Sequence, residues 1–88
     1  MNLGIKPNKD ILDQASLIGN LELVQYLIGL GIQPDQHTLY PASYNGNLEI
    51  VKYLISLGIK PDEVILDIAY ENEHHELVEY LKEIIQEN

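Results

Sequence analysis

The 88-residue chain has no cysteine, no tryptophan and no phenylalanine, and its only bases are five lysines, set against 14 acids. Without cysteine there is no disulfide scaffold, no thiolate zinc site and no cysteine nucleophile. The shortage of bases leaves a formal charge of −9. That argues against direct binding to nucleic acid or an anionic membrane, since neutralising phosphates takes clustered Lys and Arg. No apolar run approaches the roughly 20 residues of a membrane span. Residues 1–20 lack the charged-then-apolar layout of a secretory signal, which together with the missing cysteine favours an intracellular, cytoplasmic setting. Apolar residues make up 45% of the chain. A chain this short buries about 60–65% of its unfolded surface, enough for one modest core.

A repeat is present. Leu3-Gly4-Ile5-Lys6-Pro7, Leu30-Gly31-Ile32-Gln33-Pro34 and Leu57-Gly58-Ile59-Lys60-Pro61 recur every 27 residues. Asn8, Asp35 and Asp62 keep that register, as do Leu12, Leu39 and Leu66, then Ala15, Ala42 and Ala69, then Val24, Val51 and Val78, then Tyr26, Tyr53 and Tyr80. Within a unit the period is helical. Leu23, Val24, Leu27 and Ile28 form one face and Glu22 and Gln25 the other, which predicts an amphipathic helix over residues 21–30 with copies over 48–57 and 75–87. Gly19-Asn20 and Gly46-Asn47 close the helix before and cap this one. Gly31 and Gly58 suit the left-handed end of the long helix, and the following Pro stops it. A shorter helix precedes each long one, capped by Asn8, Asp35 or Asp62. Asn45-Gly46 resembles a hairpin turn, but its flanks have helical period. Pro41 predicts a later start near Thr38, or a distorted one, for the helix containing it.

The segment His37-Thr38-Leu39-Tyr40-Pro41-Ala42-Ser43-Tyr44-Asn45-Gly46-Asn47-Leu48-Glu49-Ile50-Val51-Lys52-Tyr53-Leu54-Ile55-Ser56-Leu57-Gly58 resembles an ankyrin repeat. It matches that family's pattern at Leu39, Ala42, Gly46, Val51, Leu54, Ile55 and Gly58, and the first unit matches at Leu12, Ala15, Gly19, Val24, Leu27, Ile28 and Gly31. The family's repeat is ~33 residues. The shorter period here drops the part that would form a projecting β-hairpin, and the Thr-Pro of the family's first helix is replaced by Asp10-Ile11, His37-Thr38 and Val64-Ile65. The resemblance implies an all-α repeat solenoid of three stacked helix-turn-helix pairs without hairpin fingers. Residues 1–88 then form a single domain with units near 8–34, 35–61 and 62–88, residues 1–7 being the remnant of a preceding loop. One helical pair cannot bury its own apolar face, whereas three stacked pairs share a continuous core. The third unit reads as an end cap: Glu73-His74 replaces Gly-Asn, costing about 1 kcal/mol if a positive φ is required. An uncovered first face around Ile5, Ile11 and Ile18 would favour self-association.

Helical spacing sets Asp13 over Leu17, Tyr40 over Tyr44 and Asp67 over Glu71, and the register puts the three pairs side by side. In ankyrin-like stacks this column lines the concave groove, so the resemblance makes it the expected partner-binding strip, with Tyr40 and Tyr44 as anchors between carboxylates. Tyr26, Tyr53 and Tyr80 form a second column that reads as packing. His74-His75 with Glu71 and Glu76 contains metal-ligand types, but adjacent side chains diverge, so His74 reads as a turn residue and no metal or cofactor is expected. Ser16, Ser43 and Ser56 sit at repeat positions, there is no Gly-x-Ser-x-Gly and no phosphate-cradling loop, and no active site is read.

The expected function is therefore a non-enzymatic protein-interaction module binding a folded protein through the concave face, as inhibitor or scaffold. A second reading is an acidic antagonist that imitates nucleic-acid charge. Residues 1–60 hold five acids and four bases, a net of −1, while residues 61–88 hold nine acids and one base, a net of −8. Glu76, Glu79, Glu83 and Glu87 make one stripe, either a solubilising cap or an alternative docking face. A third reading is a structural fragment or designed array without a specific partner.

Overall fold

The computed structural model describes residues 8–86. Among them are six helices and no strand: α1 (Lys9–Ile18), α2 (Leu21–Gly29), α3 (Gln36–Tyr44), α4 (Leu48–Ser56), α5 (Glu63–Glu71) and α6 (His75–Gln86). Each unit is an inner helix, a tight turn and an outer helix; the expected shorter inner helix is found only in the third unit, with 9 residues against 12, since α1 and α2 have 10 and 9 and α3 and α4 have 9 each. The units stack into an all-α solenoid 45 Å long and 24 Å by 18 Å across. Glu87, the last residue of the acidic stripe, and Ile5 lie outside the described residues.

The helix ends follow from the repeated caps. Asn8 and Asp62 accept from the backbone N–H of Ile11 and Ile65, both at 3.1 Å. The first two outer helices each close with a glycine: Gly31 N–H donates to the Ile28 carbonyl and Ile32 N–H to the Leu27 carbonyl, and Gly58 and Ile59 repeat the pair on Ile55 and Leu54. This needs a positive φ, found at 108° for Gly31 and 102° for Gly58. The inner helices end alike, with φ of 92° at Gly19, 68° at Gly46 and 61° at Glu73. Glu73 thus takes the strained conformation expected of it.

Two details differ from expectation. The helix containing Pro41 does not start late: α3 begins at Gln36. A capping box holds it there, in which Asp35 accepts from His37 N–H at 2.9 Å and Thr38 Oγ1 accepts from Asp35 N–H at 3.1 Å. Only the later start fails: the other alternative, a distorted start, fits the tightened first turn, in which Thr38 N–H donates to the Asp35 carbonyl three residues back. Pro41 removes the donor that would meet the His37 carbonyl, and His37 is exposed, where solvent is available to a freed carbonyl. The second difference is Asn47. Asn20 caps α2 by accepting from Leu23 N–H, but Asn47 makes no such bond to α4. Its side chain reaches into the preceding unit and donates to the Ser16 carbonyl at 2.7 Å.

That reach is the joint between units. His74 repeats it, with Nε2 2.8 Å from the Tyr44 carbonyl; a carbonyl only accepts, so Nε2 carries the proton. Both side chains lie on a glycine of the unit before. A Cβ on Gly19 would stand 2.9 Å from Asn47 Oδ1, and one on Gly46 2.5 Å from His74 Nδ1. The core between units is Leu12, Ala15, Val24, Leu27, Leu39, Ala42, Ile50, Val51, Leu54, Ile65, Ala69, Leu77 and Leu81. Leu66, the copy of Leu12 and Leu39, is only half-buried, because that position faces a following unit. Ser16 and Ser43 are fully buried at the inner-helix contacts. Ser16 Oγ donates to the Leu12 carbonyl at 3.0 Å, whereas Ser43 Oγ has no partner. The inner helices pack closely, α1 on α3 and α3 on α5, while α2 and α4 meet at few positions. The stack is therefore tightest along its inner layer, α1, α3 and α5.

Gly46→Ala carries both the backbone strain and the collision with the His74 ring, and is expected to cost ~1–3 kcal/mol in urea unfolding. Glu73→Gly meets neither obstacle and should gain about 0.5–1 kcal/mol. Ser43→Ala removes an unpaired buried hydroxyl from a helix interior and is expected to stabilise by about 1 kcal/mol in the same assay.

Candidate functional site

The expected strip lies on the inner helices α1, α3 and α5, and its members differ in environment. Tyr40 is half-buried, its ring 5.3 Å from the His37 ring and tilted by 44°. Tyr44, one turn on, is 56% exposed, and its carbonyl is the one held by His74. The ring that faces solvent thus stands on backbone anchored to the next unit. Leu17 is half-buried, and its carbonyl accepts from the Asn45 side chain. Asp67 and Glu71 are exposed on α5. Asp67 also borders an open groove of about 370 Å³ with Leu66, Tyr70, Val78 and Lys82.

Asp13 is drawn into an ion-pair cluster that reading the sequence by columns missed. Lys9 Nζ lies 2.9 Å from Asp35 Oδ1 and 3.9 Å from Asp13 Oδ2, so one ammonium ties α1 to the cap of α3. The register contained a signal for this pair. Gln36, the copy of Lys9, also reaches towards the start of the next unit, donating to the Lys60 carbonyl in the loop that leads into α5 at 2.7 Å. Asp13 Oδ1 is buried without a hydrogen bond. Burial pushes the Asp13 carboxyl up from its ordinary value, and Lys9 only partly opposes this. The hydrogen bond from Lys9 holds Asp35 below its ordinary value, and the same bond raises the Lys9 ammonium.

On α6, Glu76, Glu79 and Glu83 are exposed, and among the described residues none of them is ion-paired. In the tyrosine column, Tyr53 and Tyr80 are half-buried, with Lys52 Nζ 5.5 Å above the Tyr80 ring, while Tyr26 stands free. His74 is committed to the Tyr44 carbonyl and His75 is exposed. No helix of the described residues is long and apolar enough to cross a membrane.

Acidification acts on the two aspartates in opposite senses. Asp13 has a raised folded pKa, so its penalty is relieved as pH falls through that value towards the ordinary 3.8. The lowered Asp35 contributes stability above 3.8 and loses it as pH falls through its folded pKa. Asp13→Asn is therefore expected to be at least as stable as wild type at about pH 7, by under ~1 kcal/mol, with the difference closing towards about pH 4. Denaturant midpoints across that range measure it; a difference independent of pH would contradict the assignment.

A family model described as ankyrin repeats, in three copies, matches residues 10–88. No curated protein and no solved structure matches the chain. Ankyrin repeats are generally protein–protein interaction modules and are typically non-enzymatic. With three helix pairs in one register, capped and stacked along their inner helices, and that model spanning nearly all of it, the chain belongs to the ankyrin repeat family.

Proposed function

We propose that this protein binds a folded protein partner through the concave strip Asp13, Leu17, Tyr40, Tyr44, Asp67 and Glu71, and acts by occupying that partner's surface, as an inhibitor or a scaffold. The observation that carries this reading is Tyr44. It is a large ring, 56% exposed, on backbone pinned at both sides by the Asn45 and His74 bonds between units. A rigid aromatic with a polar tip gives contact area at low entropic cost, which is how interface anchors work. Tyr40 and His37 extend the same surface, and Asp67 and Glu71 supply a polar rim. A second copy of the chain is a further protein partner, supported by the exposure of Ile18 and Tyr26.

An acidic docking face on α6 would give a different signature. Binding through Glu76, Glu79, Glu83 and Glu87 would weaken steeply with added salt, whereas binding anchored on Tyr44 should largely survive it.

Capture from a lysate of the source cell, with wild type and Tyr40→Ala/Tyr44→Ala compared at two salt concentrations, tests the strip. Loss of the anchors is expected to cost ~2 kcal/mol or more, roughly thirtyfold in affinity, for a partner that wild type retains at high salt. Circular dichroism of the variant checks that Tyr40, being half-buried, has not been removed at the expense of the fold. An unchanged set of captured proteins would rule the strip out.

A further inference from the structure

One charged position is the same in all three units. Glu22, Glu49 and Glu76 recur in register, each in the first turn of an outer helix, and all three are exposed. They belong neither to the core nor to a turn between helices. A carboxylate there suits the helix macrodipole, but the fold does not require one, since α3 forms with no acid in its first turn. Nor do they serve an ion pair. Among the described residues the salt bridges are made by Lys9, and Lys52, one turn on from Glu49, stands over the Tyr80 ring.

Between successive carboxylates the surface is hollow. At the junction of the first and second units an open depression of about 300 Å³ has Leu21, Leu48, Glu49, Ile50 and Glu76 in its walls. At the junction of the second and third units another of about 300 Å³ has Leu48, His75, Glu76 and Leu77. The two share Leu48 and Glu76, so they run on from one another along the turn edge of the stack. Asn47 and His74, at the entries of α4 and α6, are spent on carbonyls of the unit before and do not fold over the helix starts that border these depressions. Ile50 and Leu77 are buried and Leu21 and Leu48 half-buried, so the floor is apolar and the rim acidic. Neither depression is lined by a Lys or Arg.

We propose that this trough binds an extended basic segment of a partner protein, wound as polyproline II with a Lys or Arg at every third residue. Charge complementarity sets the sign, because the rim carries one unpaired carboxylate per unit and no base. Spacing sets the conformation. Packed helices stand about 8–10 Å apart, so successive outer helices offer a carboxylate at steps of that size. Polyproline II has three residues per turn and rises about 3.1 Å per residue, so every third side chain points the same way at steps of about 9 Å. A β-strand repeats a face at about 6.6 Å or 13 Å and misses that step. It would also need a sheet edge to pair with, and the described residues contain no strand. The residues between the cations supply apolar contact to Leu21 and Leu48. This surface lies on the turn edge, apart from the strip on α1, α3 and α5, and does not depend on it.

Fluorescence anisotropy tests this, with the full chain titrated into a fluorescein-labelled peptide of four Lys-Pro-Pro units. Saturable binding that weakens with added salt is expected. A peptide of the same composition with its lysines in one block should bind at least fivefold more weakly, and one with Glu in place of Lys should not bind. Glu49→Gln/Glu76→Gln, both at exposed positions, should weaken binding about tenfold with an unchanged circular dichroism spectrum. Glu79→Gln/Glu83→Gln, which removes the same charge elsewhere, should stay within about twofold of wild type. Tyr40→Ala/Tyr44→Ala should bind the peptide as wild type does, which separates the trough from the strip. Absence of saturable binding, or equal binding of the block peptide, would overturn the proposal. So would equal losses in the two glutamate pairs, which would reduce the effect to net charge, or loss of the peptide in the tyrosine variant.

Discussion

The side chain at the entry to each later outer helix, Asn47 or His74, lies over a left-handed glycine of the unit before and donates to the carbonyl end of that unit's inner helix. Orphan carbonyls at a helix C-terminus must be met by some donor, and in this chain the donor comes from the neighbouring repeat. The same contact fixes the distance between units, because the Asn47 amide and the His74 ring approach closer than a Cβ would allow. Spacing, helix termination and stacking are thus one constraint. A 27-residue unit without a hairpin satisfies it because everything the joint needs lies in the turn between the two helices.

From that joint follows the asymmetry of the ends. A position facing forward must be small or left-handed wherever a unit follows it, as Ser16, Ser43, Gly19 and Gly46 are. In the third unit the same positions hold Tyr70 and Glu73. Positions facing backward must supply a donor or an apolar plug, and Asn45, Ile50 and Thr38 do so. The first unit keeps the apolar plugs but substitutes Ile18 for the donor. The middle inner helix is made rigid by the same source: α3 is held by its capping box at one end and by its bonds to the flanking units at the other. Tyr44 is exposed without standing on a loose element.

Local chemistry in the sequence was enough for the caps and the turns. Asn8, Asp35 and Asp62 begin helices because a short polar side chain after Pro can accept a backbone N–H, and Gly31 and Gly58 end them because no other residue takes a positive φ at so little cost. The strain at Glu73 was legible for the same reason. Contacts that span the register were not. Asn47 looks like Asn20 in sequence, yet it serves a carbonyl 31 residues away instead of capping its own helix. Lys9 looks like a solvated surface charge until α3 is packed beside it. Pro41 misled because the usual cost of an interior proline was assigned without the capping box that fixes the start of α3 or the exposure of the carbonyl it frees. Within the candidate strip, the identities and column of its residues were readable; the withdrawal of Asp13 into the Lys9 and Asp35 cluster depended on the packing.

The acidic excess of the last unit does not follow from helix stability. Glu76 in the first turn of α6 is favoured by the macrodipole, but α6 has no base in its last turn, where one would help. Glu79 and Glu83 stand one turn apart on the same face, an arrangement that costs a few tenths of a kcal/mol through like-charge repulsion. Replacing them would relieve that cost, so their value lies outside the helix. On a stack whose far end presents Leu66, Tyr70 and Val78 around an open groove, a strongly charged neighbouring helix opposes the approach of another copy by that end. Charge and sterics therefore act in the same sense at the third unit, Tyr70 and Glu73 by blocking the register and α6 by repelling its like.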